Sequence, residues 1–209
     1  MHTLIFGHSI CRHFHDFLLS RTDYPVDLNV AQTTSIFFAG FSGLDVNRAV
    51  QLAVQRPFCF QQKPDLVFLQ LGGNDYRPWV DKKRPWLGRK EAMDPDLFAA
   101  RLIACAGVVK KNSGAKKVVM GHLLPRFVSY KFHISEKEAA DYRDWAAQVN
   151  IQLSIQTDDI DFITIWDHNY NFTCRSQHLF CDGVHLNDDG QKKLYKSLRG
   201  ALISVCRNM

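Results

Sequence analysis

A chain of 209 residues, 46% hydrophobic and 22% charged, carries enough apolar material to bury a full α/β core, which excludes a disordered or fibrous protein. Its formal net charge of +5 permits contact with anionic partners without demanding it. No stretch reaches the ~18 consecutive apolar residues of a membrane span, and the opening Thr3-Leu-Ile-Phe6 is too short for a signal-peptide core and lacks a basic leader, so an intracellular, cytoplasmic protein is expected.

Apolar runs of strand length alternate with segments of helical period along the whole chain. Thr3–Phe6 reads as a first strand. Ser9–Ser20 follows as a helix, with Ile10, Phe14, Phe17 and Leu18 on one face. Val26–Val30 reads as a second strand, and Ile36–Ala39 as a short extended piece. Leu44–Gln55 is helical and is closed by Pro57. Asp65-Leu-Val-Phe-Leu-Gln-Leu71 is the clearest strand, and its nearly unbroken apolar character suits a sheet covered on both faces. Phe98, Leu102, Cys105, Ala106 and Val109 mark the next helix, and Lys117–Gly121 a fourth strand. Tyr142, Trp145, Ala146, Val149 and Leu153 mark another helix, and Asp161–Trp166 a fifth strand. The last helix runs from about Asp188 to Val205 behind an Asn187 N-cap.

This alternation predicts one domain over 1–209, a mostly parallel five-stranded sheet between two helical layers. Such sheets bind ligands beyond the carboxyl ends of their strands, where Ser9 and Asn74 both fall. The six cysteines, Cys11, Cys59, Cys105, Cys174, Cys181 and Cys206, show no metal-type C-x-x-C spacing and read as free thiols. Cys174 and Cys181, which flank a loop, are the one pair that invites a check for a bridge.

Four short segments carry the chemistry. Gly7-His8-Ser9 sets a serine at the exit of the first strand and the start of a helix, where the backbone N–H groups and the helix field favour a developing oxyanion. A serine there is equally an N-cap. Asp182-Gly-Val-His185-Leu-Asn187 places an aspartate three residues before a histidine, close enough to hold the imidazole in one tautomer. Taken alone, it is also an ordinary surface loop with a capping aspartate. Gly43 and Gly72-Gly73-Asn74-Asp75 offer backbone and side-chain donors for an oxyanion, and are equally strong turn compositions.

The order of these segments, each at a strand end or loop, resembles the SGNH (GDSL-type) hydrolase family. Phe6-Gly-His-Ser9 is similar to its first block, Phe41-Ser-Gly-Leu44 to the second, Leu71-Gly-Gly-Asn-Asp75 to the third and Asp182-Gly-Val-His185 to the last. His122-Leu-Leu-Pro-Arg126 resembles the segment these enzymes carry after the fourth strand. The resemblance implies a flavodoxin-like three-layer α/β/α sandwich and a serine esterase acting through an acyl-serine intermediate. Ser9 is then the nucleophile, His185 the general base and acid, and Asp182 its orienter. The backbone amides of Ser9 and Gly43, with the Asn74 side chain, form the oxyanion hole. The substrate is a small acyl ester or a lipid, and no metal or organic cofactor is implied.

One position departs from the pattern: His8 stands where the family usually has aspartate, which bears on loop geometry and pH response. Within the family, the chain resembles the acetylhydrolase branch, similar to platelet-activating-factor acetylhydrolase catalytic subunits. It also resembles the esterase domain of first-open-reading-frame proteins of some animal non-LTR retrotransposons.

Directly after the asparagine block, the stretch 77–90 holds six cations and two tryptophans, with Trp79, Lys82, Lys83, Arg84 and Trp86 at its centre. Basic residues interleaved with aromatics can grip RNA by phosphate contact and stacking, or dock on an anionic membrane surface. The same stretch also reads as a lid over the pocket. The rival to an enzyme is a catalytically silent module of the same fold that binds lipid, RNA or protein. No long heptad seam is present, so the oligomeric state is open.

Overall fold

Period-2 burial builds the sheet. The structure, a computed structural model, describes residues 1–30, 34–55, 63–76, 93–168 and 171–207. Within them the chain runs β1 (His2–Gly7), α1 (Ser9–Leu19), β2 (Ser35–Gly40), α2 (Val46–Gln55), β3 (Leu66–Gln70), α3 (Pro95–Ser113), β4 (Lys117–Gly121), α4 (Glu136–Gln156), β5 (Ile163–Trp166) and α5 (Asp188–Cys206). Strand order is β2-β1-β3-β4-β5, and every neighbouring pair is parallel. Leu4 and Phe6 of β1, Val67 and Leu69 of β3, and Val118 and Met120 of β4 pack against residues of α2, α3 and α4. The alternate residues Ile5, Leu66, Phe68 and Val119 pack against residues of α1 and α5. The result is the three-layer α/β/α sandwich expected from the sequence. Among the described residues, no helix is long and apolar enough to cross a membrane.

The second strand is not where the sequence suggested. Val26–Val30 is a turn, and its place in the sheet is taken by Ser35–Gly40, which contains the short extended piece Ile36–Ala39. Local chemistry explains the difference. The Leu28 N–H donates to the Pro25 carbonyl, and the Asp27 carboxylate accepts from the Asn29 N–H at 2.9 Å. Leu28 and Asn29 take left-handed φ values of 55° and 49°. Aspartate and asparagine side chains compete for backbone groups in this way and favour turns. The apolar residues that suggested a strand serve as anchors instead: Leu28 is fully buried, and Val26 and Val30 pack beside it against the α1/α5 core.

The five described cysteines, Cys11, Cys105, Cys174, Cys181 and Cys206, are free, so Cys174 and Cys181 form no bridge. Cys59 lies outside the described residues.

A buried polar chain ties the ends of β3, β4 and β5 to α5. The Trp166 indole N–H donates to Ser197 Oγ at 2.9 Å, and Gln70 Nε2 donates to the His122 carbonyl at 2.9 Å. Between them, His168 meets Ser197 Oγ through Nδ1 and Gln70 Oε1 through Nε2, each at 3.1 Å. Since Gln70 Oε1 can only accept, Nε2 of His168 carries the proton and Nδ1 accepts from the serine hydroxyl. Burial, reinforced by the charge of His122, pushes His168 down to about 3.

His8 is pushed down to about 3 as well, by burial first and then by Arg126 and His185. In both cases the unfolded chain binds a proton near 6.5 and the folded chain does not, so stability falls as pH drops from 6.5 towards 3. Between pH 7 and 5 the pair is expected to remove about 4 kcal/mol. Urea unfolding at the two pH values checks this, and His168→Asn, which removes one titrating group, should roughly halve the difference.

Candidate active site

The topology opens a crevice where β1 and β3 lie side by side, because the chain leaves their carboxyl ends in opposite directions. Gly7 closes β1. A Cβ on it would collide with the Gln70 carbonyl oxygen and approach Cys11 Sγ, so glycine lets the two strand ends pair. His8 follows in an extended conformation and donates its N–H to the Gln70 carbonyl at 3.2 Å. Ser9 is then the first residue of α1, where a backbone N–H has no partner within the helix.

His8 is 7% exposed and serves as the N-cap of α1, its Nδ1 accepting from the Ile10 N–H at 3.3 Å. It supplies the acceptor that an aspartate commonly provides at this position of a helix, and its lone pair is committed to the backbone. The departure at residue 8 therefore leaves the helix start capped, with a neutral group in place of an anion.

The loop before α5 brings Asp182 and His185 to the same place. Asp182 Oδ1 accepts the backbone N–H groups of Val184 at 3.1 Å and His185 at 2.7 Å. Gly183 takes φ 76°, and its carbonyl accepts from the Phe127 N–H at 2.8 Å. Two residues past His185, Asn187 caps α5 by accepting from the Gly190 N–H at 3.0 Å.

The imidazole of His185 spans two groups. Its Nδ1 lies 2.9 Å from Asp182 Oδ2, and its Nε2 lies 3.0 Å from Ser9 Oγ. A carboxylate accepts from Nδ1–H, so Nε2 presents its lone pair to the serine hydroxyl. Burial pushes the Asp182 carboxyl up, but hydrogen bonds from the ring and backbone of His185 outweigh it and hold the group at about 2. The carboxylate is therefore ionised across the neutral range. Lys131 Nζ stands 3.2 Å from the same Oδ2.

Asn74 arrives from the turn after β3. Its Nδ2 donates to the Leu44 carbonyl at 3.0 Å, and its Oδ1 accepts from Arg126 Nη2 at 3.1 Å. The next residue, Asp75, accepts the Val46 N–H at 3.1 Å and fastens this turn to the start of α2. Gly43 takes φ 68° in the loop before α2. Ser9, Gly43, Asn74 and His185 line one cavity of about 480 Å³, with Arg126 and Phe132 among its other walls.

Among the wall residues, His13 and Phe132 were not named from sequence, and Arg126 was named only as the end of the segment His122–Arg126, with no role given to it. The His13 ring lies 4.7 Å from that of His185, and the Phe132 ring stands edge-on to it at 5.6 Å. His13 is four residues after Ser9 on α1, a spacing that puts both on one helical face. The part played by Arg126, and that of Phe132 in the loop before α4, leave no periodic signal. Trp79, Lys82, Lys83, Arg84 and Trp86 lie outside the described residues. Among the described residues, no cluster of three or more histidine, cysteine or acidic side chains is placed to hold a metal ion.

A parallel sheet in this order, with a serine, a glycine, an asparagine and a histidine around one cavity at its carboxyl edge, defines a hydrolase of the SGNH type. The chain belongs to the GDSL-like lipase/acylhydrolase family, whose sequence model matches residues 5–193, and with it to the carboxylic ester hydrolases. Among solved structures it is similar to a carbohydrate acetylesterase from Sinorhizobium meliloti (TM-score 0.68, 14% identity, covering 98% of this chain and 99% of the other). It is also similar to an acetyl xylan esterase (TM-score 0.65, 19% identity, 97% and 100%). A third likeness is to a GDSL-like lipase from Bacteroides thetaiotaomicron (TM-score 0.62, 16% identity, 98% and 88%). At these identities the likenesses establish the fold. No curated protein matches the chain.

Proposed function

We propose that this protein is a serine esterase that removes short acyl groups, acetyl foremost, through an acyl-serine intermediate. The observation that carries the reading is the unbroken hydrogen-bonded line from Asp182 through His185 to Ser9, beside the Asn74 amide. His185 Nε2 takes the hydroxyl proton as Ser9 Oγ attacks the ester carbonyl carbon. The carbonyl oxygen becomes an oxyanion and accepts from the Asn74 side chain and from the backbone N–H groups of Ser9 and Gly43. His185 then gives its proton to the departing alkoxide oxygen, which leaves as the alcohol. In the second half His185 takes a proton from water, the hydroxide attacks the acyl carbon, and Ser9 recovers its proton as the carboxylic acid departs.

The acetyl preference is supported by the acetylesterases among the structural relatives. Phe132, Ile134 and Val184 give the cavity an apolar side suited to an acyl group. Lipid esters remain within the family's range, and the likeness to the retrotransposon esterase domain is carried by sequence phrasing alone. The test is nitrophenol release from a series of nitrophenyl esters by the wild type and by Ser9→Ala. Turnover should be fastest with acetate and fall to solution background in the variant. Equal release by both proteins would leave the silent binding module as the better reading.

A further inference from the structure

The asparagine beside Ser9 is gripped from two sides, and one grip comes from a residue with no part in proton transfer. Arg126 follows β4, is 8% exposed, and lines the same cavity as Ser9 and His185. Its guanidinium lies over the Tyr142 ring at 4.9 Å, and its carbonyl accepts from Arg143 Nη1 at 3.1 Å. Tyr142 is itself buried and donates its hydroxyl hydrogen to the Leu124 carbonyl at 3.2 Å. The guanidinium thus rests over the face of a fixed ring as it donates to Asn74 Oδ1 at 3.1 Å.

We propose that Arg126 is the positioning residue of the oxyanion hole. The inference rests on the esterase reading above. A guanidinium only donates, and the Leu44 carbonyl only accepts. Together they allow one orientation of the Asn74 amide: oxygen to Arg126 and nitrogen to Leu44, with the second N–H left for a ligand in the cavity.

The terminal torsion of an asparagine is broad and soft, so without Arg126 the amide is held at one end only. The cation also draws electron density through the amide carbonyl and makes the N–H a stronger donor. That gain grows as negative charge develops on the substrate, so it belongs to the transition state rather than to substrate binding. Lysine replaces the charge but not the planar fork.

The experiment is a double-mutant cycle on the full chain with a nitrophenyl acetate substrate. R126M is expected to lower kcat about tenfold or more, with KM within about twofold, as for loss of a transition-state interaction. In the N74A background the same change should cost about twofold or less, because the group it acts through is gone. R126K should recover part of the loss, and free methylguanidinium should raise the turnover of R126A. Should R126M fold poorly by circular dichroism, R126K and R126Q run the same cycle.

Equal factors in both backgrounds, or a loss confined to KM, would overturn the role of Arg126 while leaving the esterase reading intact. Turnover unaltered in S9A would overturn both.

Discussion

Replacing His185 by glutamine is expected to lower kcat/KM for an acetate ester by roughly 10⁴-fold or more, with the fold retained. The expectation follows from what the ring does at each end. A serine hydroxyl is a weak nucleophile until a base takes its proton, and Nε2 is the nitrogen set 3.0 Å from Ser9 Oγ. Glutamine is of similar length, yet its amide has no basic nitrogen to receive that proton. The turn should survive, because Asp182 Oδ1 is engaged by the backbone N–H of residue 185 as well as by the ring. Activity should therefore fall without a matching fall in melting temperature, and residual turnover should come from the oxyanion donors. Steady-state kinetics and a thermal melt on the same sample separate the two. A loss of less than about tenfold would mean that another group serves as base, and His13, whose ring lies 4.7 Å away, would be the first to examine.

Gly183→Ala is expected to damage both stability and activity. The residue sits between Asp182 and His185 at φ 76°, a region that L side chains rarely adopt. A Cβ there would lie 2.5 Å from the Val128 carbonyl oxygen and 2.7 Å from that of Phe127. Both neighbours are backbone, and Phe127 also donates its N–H to the Gly183 carbonyl, so the two segments cannot part without breaking that bond. Strain and overpacking each cost about 1–3 kcal/mol. A combined cost of about 3 kcal/mol corresponds to a melting temperature lower by roughly 10 °C in a chain of this size. Because the displaced segment carries Asp182 and His185, turnover should fall as well. Thermal unfolding followed by circular dichroism measures the first effect, and a shift below about 2 °C would show that the crossing is looser than the contacts imply.

The fold was legible in the sequence wherever pattern and turn chemistry agreed. The apolar run at Leu66–Gln70 announces a strand buried on both faces, and Phe98, Leu102, Cys105, Ala106 and Val109 announce the buried face of α3. Pattern misled where turn chemistry opposed it. Val26, Leu28 and Val30 alternate like a strand, but Pro25, Asp27 and Asn29 bend the chain, and the alternation reflects anchoring to the core.

The site divides in the same way. Ser9, Gly43, Asn74, Asp182 and His185 could be named because each sits among glycines, caps and turns that mark a strand end or a helix start. Arg126, Phe132 and Lys131 could not be assigned, because their parts depend on contacts between residues far apart in sequence: Arg126 with Asn74, Phe132 with His185, Lys131 with Asp182. His8 shows a further limit. Its departure from the family pattern was visible, but that its Nδ1 would cap α1 as a neutral ring required the backbone geometry of Ser9 and Ile10.

The central claim is that the Ser9 oxygen becomes covalently bonded during turnover. A fluorophosphonate tests it, since attack by an activated serine forms an O–P bond, expels fluoride and leaves a mass tag that peptide analysis can place. The wild type should acquire one adduct per chain, on the peptide that contains Ser9. His185→Gln should acquire it far more slowly, and Ser9→Ala not at all. Ester hydrolysis by a wild-type protein that takes up no adduct at Ser9, or an equal adduct in Ser9→Ala, would contradict the account.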